Sequence, residues 1–273
     1  MIKKILFLVV LVFSISSYAS YEKRSGDLNI IKTRIVGGKS VSETDLEAKS
    51  TVAIYGRSTH GEKGMYLFCS GTLLHKKLVL TSASCFERKD IENLYIGFGT
   101  QITDKFKSPK VKLISIKKVH VHPDFPDQYY PDMAVVEMAE GAPEKFIPAE
   151  LVRDLSLLKI GSDISLAGYG VNRLDDYKSK AKNLAKIQVK VDQIYADYNM
   201  FSYNSQGACR YDDGGPAYLN QDNKLKLMGV IHVSSDYSVC RKFGALGSIP
   251  HLAPWIDQVA ESILGESLVG KLD

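Results

Sequence analysis

No apolar run in these 273 residues reaches the roughly 18–20 that a membrane-spanning helix needs. Cysteine is scarce, and Cys69, Cys85, Cys209 and Cys240 include none of the close C-x-x-C pairs of zinc sites, so no metal and no cofactor is expected. Internal repeats and low-complexity stretches are absent, which excludes solenoids, collagen and a disordered chain. Excess charge is missing from the body as well. The formal net charge is +4, but residues 1–34 carry all of it: Lys3, Lys4, Lys23, Arg24, Lys32 and Arg34 against Glu22 and Asp27. Residues 35–273 sum to zero, which gives no electrostatic case for nucleic acid or an anionic membrane. What remains is a chain 45% hydrophobic, enough for one large or two small cores.

The N-terminus reads as a secretory signal: Lys3 and Lys4, then the apolar stretch Ile5 to Ile15, then the small-x-small site Ser17-Tyr18-Ala19, with cleavage expected after Ala19. A retained anchor is the alternative, against which stands the shortness of the apolar run. Both imply export, to a secreted, periplasmic or extracellular location. An oxidising compartment favours two disulfides over four free thiols, and spacing leaves three pairings open.

From residue 35 to 250 the pattern is short β-rich runs broken by Gly, Pro, Asn and Asp: Val52 to Tyr55, Met65 to Phe68, Leu78 to Thr81, Leu94 to Phe98, Asp163 to Ala167 and Leu225 to Val233. Ile187, Val189 and Val191 alternate with Gln188 and Lys190, predicting a strand with one wet face. Strand patterning lapses around Ile147 to Gly161, where a linker is expected. Trp255, Ile256, Val259, Ala260 and Ile263 recur at helical spacing behind Pro254 and stop before Gly265, predicting a closing helix over 254–264 with Asp257 near its positive end.

Four segments in order carry a family resemblance. Arg34-Ile35-Val36-Gly37-Gly38 looks like an activation site; Cys69-Ser70-Gly71-Thr72-Leu73-Leu74 with Leu80-Thr81-Ser82-Ala83-Ser84-Cys85 resembles C-G-G-S-L-I and L-T-A-A-H-C. Asp132-Met133-Ala134-Val135-Val136 resembles D-I-A-L-L, and Cys209-Arg210-Tyr211-Asp212-Asp213-Gly214-Gly215-Pro216 resembles C-x-G-D-S-G-G-P. Gly168-Tyr169-Gly170 and Asn199-Met200-Phe201 add to these. Over residues 35–264 the chain thus resembles trypsin-like (chymotrypsin-fold, S1) serine proteases. The resemblance implies an all-β fold of two packed six-stranded antiparallel β-barrels with a C-terminal helix. It also implies a signal peptide 1–19, a propeptide 20–34, a first barrel about 35–146, a second about 147–250 and a tail 265–273. Disulfides Cys69 to Cys85 and Cys209 to Cys240 are implied too, while Ser202 stands where a further bridge would have a cysteine.

The same resemblance shows what is missing. In these enzymes a Ser attacks, a His takes its proton and a buried Asp orients the imidazole. Asp132 matches the Asp, but Ser84 fills the His position and Asp213 the Ser position. A serine hydroxyl does not titrate near neutral pH and cannot be the base, and a carboxylate at 213 is a poor nucleophile whose charge repels the developing oxyanion. Tyr211 replaces the oxyanion-hole glycine and either disturbs that loop or lies over the surface. Gly207, Ser234 and Gly244 fall in the primary-pocket region, with Gly207 where Arg/Lys-specific members carry an Asp.

The histidines do not repair this by position. His60, His75, His120, His122 and His251 fall outside the catalytic segments, with His75 expected in a strand connection, His122 in a surface turn and His251 ahead of the helix. His232 falls on the strand expected to border the cleft and reads as a satisfied polar residue. A carboxylate pair of Asp132 and Asp213 would need an approach the fold does not provide, with Ser84 between them. Arg34, Ile35 and Asp212 match the activation switch, in which cutting after the basic residue frees an amine that the Asp receives. The expected function is a noncatalytic protein-binding or regulatory module with a protein or peptide partner, processed at Arg34 by a trypsin-like protease. An enzyme with unconventional or residual hydrolytic activity is the alternative.

Overall fold

The computed structural model describes residues 35–58, 64–101, 111–126, 131–171, 183–195, 198–202, 207–221, 224–232 and 243–268. The expected signal peptide and propeptide, Arg34, His60, Ser234, Cys240 and residues 269–273 of the expected tail lie outside these, and all the described residues belong to one compact unit, Lys32–Asp273.

In chain order the elements are β1 (Lys39–Ser40), α1 (Glu47–Ser50), β2 (Thr51–Ser58), β3 (Gly64–His75), β4 (Leu78–Thr81), β5 (Leu94–Phe98), β6 (Lys112–Val121) and β7 (Ala134–Met138). The second half holds β8 (Glu150–Leu151), β9 (Asp163–Gly168), β10 (Ala185–Ile194), β11 (Tyr198–Ser202), β12 (Pro216–Gln221), β13 (Lys224–His232), β14 (Phe243–Ser248) and α2 (Ile249–Leu264). Strands β2-β3-β4-β7-β6-β5 close into a barrel. In the second half, β10-β11-β14-β13-β12-β9 form a ring because β9 also pairs with β10, so the expected two six-stranded antiparallel barrels are found.

The segment 35–40, expected in the first barrel, belongs to the second. β1 pairs with β10, and Ile35, fully buried, packs with Ile164, Leu166 and Ala208. The reason is apolar: Ile35 and Val36 are both buried against second-half residues there. Residues 147–161, where patterning lapses, carry only β8, which adds parallel to β13, and a single 3-10 turn.

Period-2 alternation explains why the barrels pack. In β2, Val52 and Ile54 fill the first barrel while Ala53 and Tyr55 face the seam; in and beside β7, Ala134 and Val136 point in while Met133 and Val135 point to the seam. Across it, Ile164, Leu166 and Ala217 fill the second barrel while Ala167 and Tyr218 join the seam cluster. These strands are buried on both faces and therefore read as continuous apolar runs. β10 behaves otherwise: Gln188 and Lys190 are exposed while Val191 is buried, as its alternation predicts.

The seam also buries phenols. Tyr218 Oη shares hydrogen bonds with Ser50 Oγ (2.6 Å) and Thr51 Oγ1 (3.2 Å), and Tyr169 Oη donates to the Gly99 carbonyl at 2.8 Å. Burial pushes both phenols upward in pKa, so they remain neutral donors at any physiological pH.

The closing helix starts earlier than expected. α2 begins at Ile249, with Pro250 in its first turn, where no donor is needed, and Pro254 inside it. Burial of Ile249, Leu252 and Ala253 extends the apolar stripe backward past Pro254, which has no N–H to give to the helix. His251 therefore lies in the helix, exposed, and Asp257 sits about two turns in, pairing with Arg153 (Nη2 to Oδ1, 2.9 Å) rather than complementing the N-terminus. Gly265 ends the helix in the left-handed region, its N–H on the Glu261 carbonyl. His75 is the last residue of β3, not a connection, and His122 is buried to 9% exposure against Trp255, 4.7 Å between rings.

Because Ile256 is fully buried where α2 docks on the seam, Ile256→Ala should lower unfolding stability by about 2–5 kcal/mol. Exposed Glu261→Ala in the same helix should stay within about 0.5 kcal/mol, both read by urea unfolding.

Candidate functional site

The resemblance-derived positions converge where the two barrels meet. Ser84 sits in a 3-10 turn after β4, held by the disulfide between Cys69 and Cys85. Asp132 precedes β7, its side chain only 1% exposed. Both Ser84 groups reach it: the backbone N–H donates to Oδ1 at 2.7 Å and Oγ–H to Oδ2 at 2.8 Å. A third donor comes from the other barrel, for His232 Nδ1 lies 2.9 Å from Oδ2. Both Asp132 oxygens are thus engaged by Ser84 and His232.

Burial alone would raise the Asp132 pKa, but the His232 hydrogen bond and charge and the two Ser84 bonds outweigh it and hold it below the usual carboxylate range. For His232, burial pulls the pKa down, and the bond to Asp132 with the charges of Asp132 and Asp213 outweighs that and raises it. His232 was expected to be a satisfied polar residue and is; the sequence did not reveal that its partner is the triad-type Asp. Its place on a cleft-bordering strand was the only signal.

Asp213 follows the tight turn Cys209–Asp212, in which Asp212 N–H donates to the Cys209 carbonyl at 2.9 Å. Its carbonyl accepts from Ser70 N–H at 2.8 Å, which ties the turn to β3. Ser70 stands out in the sequence only as part of a motif, yet its buried Oγ accepts from Tyr169 N–H and donates to the Tyr211 carbonyl, both at 3.0 Å, stitching three motifs together. Tyr211 sits at φ 74°, a left-handed conformation costing a non-glycine residue roughly 1–2 kcal/mol. Its ring stacks under Arg210 (4.9 Å) and against Val36, Val171 and Cys209. So the loop keeps a glycine-like turn although it carries a Tyr, and the ring is half buried over the surface beside it. Gly214 next door has φ 78°, and a Cβ there would clash with Thr81 Oγ1 and lie 2.5 Å from the Ser70 carbonyl, so no side chain fits.

The other expected positions are placed as follows. Gly207 pairs with Val36 in an isolated antiparallel bridge (N–H to carbonyl 3.0 and 2.8 Å), beside the activation segment. Gly244 lies buried in β14. Cys209 is disulfide-bonded; the fourth cysteine, Cys240, is outside the described residues. Asp212 is fully buried below the turn, accepting from Gly170 N–H (2.8 Å) and Cys209 N–H (2.9 Å), and Gly170 leaves room for its carboxylate. Burial outweighs both bonds, and with Asp213 nearby raises its pKa to about 7. Among the described residues no group of His, Cys, Asp and Glu suited to a metal occurs.

A carboxyl with a raised folded pKa favours the native state at low pH; its contribution is present below about pH 4 and lost as pH rises through about 7. In the uncut chain this amounts to on the order of 4 kcal/mol, so Asp212→Asn should remove that decline from an unfolding series between pH 4 and 8. A slope unchanged by the substitution would place the titration elsewhere.

Comparison with known proteins agrees with this geometry. The family model for trypsin matches residues 35–256. A trypsin of Sarcophaga bullata is 24% identical over 215 residues, covering 72% of this chain and 80% of its own. Serine protease Hayan of Drosophila melanogaster is 26% identical over 195 residues, covering 60% of this chain and 30% of its own, so this chain spans under a third of that relative. With two barrels, a closing helix and a match across most of its length, this chain belongs to the trypsin family of S1 serine proteases.

Proposed function

We propose that this chain is a noncatalytic member of its family, exported and used as a protein- or peptide-binding or regulatory module. The observation that carries the reading is Ser84 on Asp132, where the backbone N–H and hydroxyl occupy the carboxylate that an imidazole from that position would use. A hydroxyl there cannot take a proton near neutral pH, and Asp213 supplies charge where an alkoxide is needed. In a related mechanism, loss of the base or the nucleophile alone costs about 10⁶ in kcat, roughly 8 kcal/mol, and the losses do not add. The rigid double barrel remains, carrying loops suited to recognition. Export is supported by the N-terminal pattern and by the Cys69–Cys85 disulfide, which persists in an oxidising compartment; among the described residues no helix is long and apolar enough to cross a membrane.

The activation switch is proposed to survive the loss of chemistry. Ile35 is buried, and the Val36–Gly207 bridge holds it beside the turn that carries Asp212. A cut after Arg34 by a trypsin-like protease would give Ile35 an ammonium group, the counter-charge that a buried Asp212 calls for. Cleavage should then raise the melting temperature at pH 8 by the equivalent of about 3–5 kcal/mol, and should not do so in Asp212→Asn. A processed chain no more stable than the uncut one would count against the switch.

One observation favours a second reading, a hydrolase with unconventional chemistry: His232 brings an Asp-oriented imidazole back to the cleft. Peptide hydrolysis and labelling by serine-directed phosphonates decide between the two. Processed protein should show neither, and Ser84→His or Asp213→Ser alone should recover almost nothing. Turnover that survives purification and is abolished by both His232→Ala and Asp213→Asn would establish the enzyme instead.

A further inference from the structure

The unusual feature of the cleft is the origin of its imidazole. Asp132 belongs to the first barrel and is fixed there by Ser84; His232 is the last residue of β13 in the second barrel, paired with Ala245 of β14. The 2.9 Å contact between them therefore crosses the seam, and it does so at a carboxylate 1% exposed, with the imidazole 26% exposed at the cleft edge. Described neighbours of the contact include apolar packing by Met133, Val135 and Val230 and a neutral hydrogen bond from Ser82 Oγ to the Ile231 carbonyl at 3.3 Å. This is a charged crossing in a place where charge is worth more than at the surface.

Among the described residues, four segments border the imidazole. The segment before β7 presents Asp132, the turn before β12 presents Asp213, β14 presents Ala245, and the Ser82–Ser84 segment presents hydroxyls. Among the described residues the charged groups that act on it, Asp132 and Asp213, are both acidic and favour the imidazolium.

We propose that His232 is a pH-operated clamp between the two barrels: as imidazolium it makes a charge-assisted hydrogen bond to Asp132 across the seam, and on losing the Nε2 proton it keeps only a neutral Nδ1–H donor there, which loosens the hold of the β13 wall of the cleft on Ser84–Asp132. The sign follows from both partners. The Asp132 contribution is present above about pH 4 and lost as pH falls through its lowered folded value. The His232 contribution is complete below about pH 6.5 and lost as pH rises through its raised folded value. The clamp is tightest in mildly acid solution and loosens toward alkaline pH, which gives the cleft a tighter and a looser state without any catalysis. It does not depend on whether the chain hydrolyses peptides.

The test uses the full chain and His232→Gln, which keeps a hydrogen-bonding amide but cannot carry charge. Unfolding is followed from pH 5 to 9. The folded-to-unfolded ratio of the parent relative to the variant should fall with rising pH, roughly tenfold for each unit by which His232 titrates above its ordinary value. In an Asp132→Asn background that dependence should disappear. Nuclear magnetic resonance titration of the unsubstituted protein provides a reading that no folding defect can spoil: one imidazole should titrate above 6.5, with the Ser84 amide shifting at the same midpoint. A substitution effect equal at all pH values, or a His232 titration that leaves the Ser84 amide unmoved, would overturn the clamp. Dependence that persists in Asp132→Asn would overturn it too, and assign the titration to Asp213.

Discussion

Burial of the same strands on both faces is the constraint on which everything else in this molecule rests. Once Val52 and Ile54 fill one barrel and Ala53 and Tyr55 must be dry as well, a second layer has to cover them, and the second barrel with α2 does so. A seam of that kind favours polar groups whose hydrogen bonds are made inside it. Ser70, Tyr169 and Tyr218 are the visible result. Each is buried, and each bonds to a segment distant in sequence: Ser70 to Asp213 and Tyr211, Tyr169 to Gly99, Tyr218 to Ser50 and Thr51.

Charges in the same seam obey a harsher rule. Asp132 tolerates burial because three donors converge on it, one of them ionisable, and so remains a carboxylate. Asp212 accepts from two backbone N–H groups and has the charge of Asp213 nearby, and burial prevails. The two acids illustrate one principle with opposite outcomes: an opposite charge close by offsets desolvation, and neutral dipoles alone do not here. The partners that hold this electrostatic frame are backbone N–H groups, the Ser84 hydroxyl and the His232 imidazole.

Much of the fold was legible in the residues. Leu78 to Thr81 and Leu94 to Phe98 coincide with β4 and β5, and the alternation through Val191 matches β10, because strand period is a local property. Local signals misled where packing decided the outcome. Pro254 looked like the start of the helix, but α2 begins at Ile249, since burial of Leu252 and Ala253 outweighs one missing hydrogen bond. Residues 35–40 looked like the start of the first barrel, but Ile35 is drawn into the second by its apolar neighbours.

By itself, then, the sequence determined the strands, the four motifs, and the chemistry that positions 84, 132 and 213 permit, because side-chain chemistry and period-2 patterning are carried by the chain locally. Only the tertiary structure decided that His232 meets Asp132, that Ser70 ties three motifs together, and that Asp212 is driven toward neutrality. Those residues stand about 100, 140 and 40 positions from their partners, and how close two such groups come, and how dry they are when they meet, follows from how two barrels close on each other.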